Sequence, residues 1–177
     1  ALIAKLIAHG PTREDARGTL AEGLRQAVAL GVPTNAGLLA RVLEHPVFAA
    51  GEARIDFLAR HAAALEMPQE VVGTARRIAC ALAHVTLAHS GYAGPPRAPA
   101  ARFERPVRVL WRGAVTEARL RPEGRTLHVA DAEGVLTLTD IVLDDGWLHA
   151  GIDGVRHRLP VHRDGDRLPF RWEGEGW

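Results

Sequence analysis

The chain has 177 residues and a mass of 19.1 kDa, room for one domain or two small ones and not for a large multidomain enzyme. With 22 Lys+Arg against 21 Asp+Glu the net charge is +1, and 47% hydrophobic with 24% charged residues is a globular balance that excludes wholesale disorder. The single cysteine, Cys80, excludes an internal disulfide and a cysteine-rich metal site. No apolar run reaches the roughly 18 residues of a membrane span, and the first residues lack the layout of a secretory signal. The default expectation is a reduced, cytoplasmic protein. Lysine is almost absent: Lys5 stands alone beside 21 arginines.

Residues 2–8 form a short apolar run closed by His9-Gly10-Pro11, the pattern of a buried strand. A buried strand with nothing before it suggests a start inside a larger domain. Thr12 with Asp15 three residues on resembles a capping box, and Ala16, Leu20, Leu24, Ala27 and Val28 recur at helical spacing until Gly31 and Pro33. Thr34-Asn35 offers a second cap, for a short helix with Leu38, Leu39, Val42 and Leu43 inward, stopped near His45-Pro46. After a loop with Gly51, Ile55, Phe57, Leu58 and His61 predict a third helical stretch to about Leu65. Pro68 then suits the first turn of a long helix over 68–89, whose broad apolar face predicts enclosure.

Residues 90–106 hold Gly91, Gly94, Pro95, Pro96, Pro99 and Pro106 and break every periodicity, so they read as a loop or arm. From Val107 the period becomes two. Alternating runs cover 107–111, 115–121, 126–131, 135–143, 147–152, 155–161 and 167–172, separated by turns such as Asp145-Gly146, Asp153-Gly154 and Asp164-Gly165. The expected fold class is α+β. An N-terminal α/β part precedes a long helix packed in or against an antiparallel β-barrel of seven to eight strands. The chain divides near 61–67, giving an expected first domain over 1–66 and a second over 67–177.

Residues that do chemistry are hard to find. No glycine loop for phosphate is present. Nine histidines invite a metal reading, but His84 and His89 are five apart, as are His157 and His162, and no carboxylates accompany the possible neighbours His128 and His149. Cys80 lies on the apolar stripe of the long helix, a core position. Ser90, the only serine, has no His/Asp signature around it. The arginines, Arg76-Arg77 among them, raise nucleic acid as a partner; yet from Val107 onward ten arginines face twelve Asp and Glu, a net of −2. The aromatics Trp111, Trp147, Phe170 and Trp172 fit the strand alternation and read as core, while Trp177 reads as exposed. No catalytic, cofactor-binding or metal-binding residue is expected. The residues alone describe an interaction module, with a stand-alone small-barrel module for ligand or nucleic acid as the alternative.

The first 65 residues carry a sharper pattern. The run Leu2-Ile3-Ala4-Lys5-Leu6-Ile7, then Gly31-Val32-Pro33-Thr34-Asn35, His45-Pro46-Val47-Phe48, Gly51-Glu52 and Asp56-Phe57-Leu58, resembles the end of the biotin carboxylase C-terminal subdomain. The resemblance is strongest to α subunits of acyl-CoA carboxylases of the 3-methylcrotonyl-CoA and propionyl-CoA type. Pyruvate and urea carboxylases share much of the segment. In those α subunits the next part is a domain linking biotin carboxylase to carboxyltransferase: a long helix, a hook-like connection and an antiparallel barrel of eight strands around the helix.

The resemblance implies a ligase parent that uses ATP, Mg or Mn, bicarbonate and biotin, and the carboxyltransferase β subunit and the rest of the α subunit as partners, without nucleic acid or membrane. It also implies departures. The family's ATP-grasp module and its biotin-bearing Met-Lys-Met carrier domain have no counterpart here, since Met67 precedes Pro68 and Lys5 stands elsewhere. The expectation is therefore a fragment without either carboxylation step, acting as a docking module. Its partner-binding residues would lie in the arm, at Tyr92, Pro95, Pro96, Arg97 and Phe103, where prolines limit the entropy lost on ordering and the aromatics can anchor an interface. Exposed apolar surface is expected in residues 1–65.

Overall fold

A computed structural model describes residues 2–87 and 104–177. The chain forms two compact units. The first comprises Ala1–Pro68 together with Arg171–Trp177, and the second Gln69–Phe170.

The first unit begins without the expected strand. Residues 2–8 are irregular, with Leu2 86% and Ile7 80% exposed. A strand is stable only when its N–H and C=O groups pair with a neighbour, and among the described residues none pairs with these. Helix α1 (Arg13–Gln26) starts on a capping box. The Thr12 hydroxyl accepts from the Asp15 N–H at 3.1 Å, and the Asp15 carboxylate accepts from the Thr12 N–H at 3.2 Å. It packs against α2 (Ala36–Glu44), with Ala21, Leu24 and Ala40 buried.

A short helix the hydropathy pattern conceals follows directly: α3 (Pro46–Ala49) has Pro46 in its first turn and its Val47 N–H donating to His45 Nδ1 at 3.3 Å. The expected third helix is divided at His61 into α4 (Phe57–Arg60) and α5 (Ala62–Leu65), because His61 takes φ −110° and ψ 17°, outside the helical range. Phe57 and Leu65 are buried.

The second unit places α6 (Gln69–Leu87) against a single antiparallel sheet. Its strands are β1 (Arg105–Trp111), β2 (Ala114–Glu123), β3 (Thr126–Asp131), β4 (Gly134–Asp144), β5 (Trp147–Ile152) and β6 (Val155–Pro160), paired in chain order. At Asp153-Gly154 both φ angles are positive, 47° and 87°, the twist a two-residue hairpin needs. Alternation sends Leu120, Leu127, Val129, Leu136, Leu138, Leu148 and Ala150 to the buried face. Ile78, Cys80, Ala81 and Leu82 of α6 are at most 1% exposed, and the helix touches β1, β2, β3 and β4. Burying each such leucine or isoleucine stabilises by roughly 1.5–3 kcal/mol.

Of the expected barrel of seven to eight strands, the described residues show this six-stranded antiparallel sheet. Among the described residues no ladder joins β1 to β6. The seventh run, 167–172, does not extend the sheet: Pro169 withholds an N–H from any ladder, and only isolated bridges form, Val161 with Phe170 and Asp164 with Arg167. Its last two residues belong to a separate hairpin, β7 (Arg171–Trp172) with β8 (Glu175–Gly176), turned on Glu173-Gly174. The sheet still curls, since the rings of Trp111 on β1 and Phe170 beyond β6 lie 6.4 Å apart. A bulge between Thr139 and Val142 contributes: Asp140 takes φ 49° and its N–H donates to the Arg125 carbonyl at 3.0 Å.

Candidate functional site

The proposed contact residues Tyr92, Pro95, Pro96, Arg97 and Phe103 lie outside the described residues, as do Ser90 and His89.

Arg76 and Arg77 are not a basic surface. Both turn to the β3–β4 turn, where the Asp131 side chain is 4% exposed. Arg76 reaches Asp131 at 2.7 Å and Glu133 at 2.8 Å, and Arg77 reaches Asp131 at 3.2 Å. Asp131 also accepts from the N–H groups of Glu133 and Gly134 at 2.9 and 3.0 Å. Burial pushes its carboxyl up, but the hydrogen bond from Arg76, the turn N–H of Glu133 and the Arg77 charge outweigh it and hold the group below the usual carboxylate range. Hydrogen bonding to Glu133, then to Asp131, holds Arg76 protonated. The two arginines thus clasp helix to sheet. Both guanidiniums are engaged with carboxylates of this turn.

Cys80 lies beneath the clasp, 1% exposed. Burial, then the Asp131 charge, push its thiol up to about 11, so it carries no nucleophile. His84, one turn further on, is half-buried, and burial and the nearby Arg105 lower its pKa. His128 and His149 do not meet: His128 faces Thr137 on β4, whereas His149 faces Val142 and Arg158. Trp111 and Trp147 are half-buried rather than core; Trp147 lies on the outer face under Arg158, whose guanidinium carbon is 3.8 Å from the ring centroid. Phe170 and Trp172 are buried, as alternation predicted, and Trp177 is half-buried, its indole N–H donating to the Trp172 carbonyl.

The outer face carries an apolar patch at one hairpin. Leu110 and Val115 face each other across β1 and β2, 75% and 72% exposed. They are followed on the same face by the Arg108–Glu117 ion pair at 2.9 Å.

In the first unit, His45, Phe48, Phe57 and His61 form a ring cluster, with His45 and His61 centroids 4.3 Å apart and Arg13 over Phe48 at 5.6 Å. Large side chains remain in solvent: Leu2, Ile3, Ile7, Ile55 and Leu58 are all more than half exposed. This is the apolar surface expected of residues 1–65. Lys5 is exposed in the irregular stretch, and among the described residues no group of three His, Cys, Asp or Glu is placed to hold a metal.

One third of the chain matches a known family. Residues 1–60 match the biotin carboxylase C-terminal domain. A biotin carboxylase of Halalkalibacterium halodurans is 42% identical over 60 residues, which is 34% of this chain and 13% of that protein. The matched stretch runs through α1, α2, α3 and α4, and takes in the ring cluster up to Arg60. The sequence resemblance is thus supported at the level of the biotin carboxylase C-terminal domain.

Proposed function

We propose that this chain is a docking segment of the α subunit of a biotin-dependent acyl-CoA carboxylase, of the 3-methylcrotonyl-CoA or propionyl-CoA type, and that its partner is the carboxyltransferase β subunit. The observation that carries the reading is an order of parts. A stretch similar to the biotin carboxylase C-terminal domain is followed by one long helix and an antiparallel meander against it. That order is the one the resemblance implies for the linking domain. The 6.4 Å approach of Trp111 and Phe170 supports reading the curled sheet as the larger part of its barrel.

On this reading the whole protein carboxylates an acyl-CoA in the cytoplasm with ATP, a divalent cation and biotin, and the present residues carry none of those steps. They hold two distant catalytic stations at a fixed spacing, which raises effective concentration without new chemistry. Co-purification with the β subunit tests it. Binding that is retained by the full segment and lost on deleting 90–106 is the expected result. No binding at micromolar concentration, or a salt-sensitive shift of nucleic acid instead, overturns it.

A further inference from the structure

The hairpin β7–β8 belongs to the first unit although more than a hundred residues separate it from Pro68. Two polar contacts, one buried and one part-buried, hold it there. Arg171, 7% exposed, donates through Nη2 to the carbonyls of Leu24 and Arg25 at 2.8 and 2.7 Å, the orphan acceptors at the end of α1. Burial lowers its pKa and the Glu175 charge opposes that. Glu175, with its side chain 13% exposed, meets Arg41 of α2 at 2.7 Å, and Arg41 in turn donates to the Leu65 carbonyl at 2.9 Å.

The decisive detail is Gly37. It sits buried in the first turn of α2, and a Cβ there would collide with the Glu175 carboxylate. Glycine is a poor helix former, and its φ here is not in the left-handed region, so the backbone does not require it. The atoms a Cβ would meet are the far end of the Glu175 side chain, which must give way unless its ion pair with Arg41 holds it in place.

We infer that β7–β8 is a latch on the first unit: Arg171 caps α1, Glu175 seats in the cradle at Gly37 under Arg41, and the α1–α2 pair is closed only while both are in place. The latch residues lie outside the stretch similar to the biotin carboxylase C-terminal domain, which stops at residue 60. A carboxylase-like segment is thereby made conditional on residues encoded after the whole of the second unit. The inference goes beyond the docking role and does not depend on it.

Amide hydrogen exchange on the full chain tests it. Gly37→Ala is expected to speed exchange at least about tenfold in α1, α2 and 171–177 while β1 to β6 keep their protection. In a Glu175→Ala background the same substitution is expected to have no such effect, because the colliding carboxylate is gone. Glu175→Gln, which keeps the size and removes the charge, is expected to speed the same amides. Slower exchange in Gly37→Ala, an equal effect of that substitution in both backgrounds, unchanged exchange in Glu175→Gln, or loss of protection spread evenly over β1 to β6 overturns the latch.

Discussion

Arg76 and Asp131 meet at 2.7 Å where the second turn of α6 crosses the end of β3, and the carboxylate is almost wholly buried. A buried carboxylate that loses its charge leaves Arg76 with Glu133 alone and takes the Asp131 charge from Arg77. Asp131→Asn is therefore expected to destabilise the second unit by about 2–4 kcal/mol. The sign with pH follows from the lowered pKa of Asp131: its contribution is present above the unfolded value of 3.8 and is lost as pH falls through the folded one. Urea unfolding followed by tryptophan fluorescence at pH 7 and in the acid range checks both; an Asn variant as stable as the parent would contradict the clasp.

His84 carries the opposite kind of linkage. Burial, then Arg105, favour its neutral form, so its folded pKa lies below 6.5. The unfolded chain binds that proton first, and stability declines as pH falls below 6.5 until the folded group titrates too. His84→Leu is expected to flatten the stability profile across this window. A slope as steep as the parent's would assign the effect to another histidine.

Cys80 is expected to resist alkylation in the folded protein at pH 8 and to react fully in denaturant, because the thiol is both enclosed and held protonated. Cys80→Ser places a hydroxyl on the apolar face and is expected to cost about 1–3 kcal/mol. Thiol titration with and without urea is the measurement, and rapid native labelling would show that α6 is not enclosed.

The uncovered side chains at Leu2, Ile3 and Ile7 are expected to bind a hydrophobic dye. Replacing all three by serine is expected to reduce dye fluorescence while the thermal transition stays within about 0.5 kcal/mol, since exposed residues contribute little to stability. Equal fluorescence in the variant would place the apolar surface elsewhere.

Local signals were legible and distant ones were not. Thr12 with Asp15, the apolar stripe of α6 and the turns at Asp145-Gly146 and Asp153-Gly154 each act within four residues, and each appears where the pattern placed it. The run 2–8 failed because an apolar stretch states a wish for burial without supplying a partner strand. The run 167–172 failed because one alternating pattern was shared between two units, Phe170 going to one and Arg171 to the other. Asp131 read as the end of an alternating run, and nothing nearby announced that Arg76 and Arg77 would pair with it. Nothing in the local pattern set Gly37 apart from Gly18, Gly23 and Gly73, which also lie inside helices, so the latch was not legible.

The bulge at Asp140 makes the bend of the sheet separable from its pairing. The facing partners on either side, Thr139 with Gly151 and Val142 with His149, differ by one residue inserted on β4. Deleting Asp140 would keep every later partner and every inward side chain in place, yet straighten the strand. How tightly the sheet wraps its helix is thus written in a single residue.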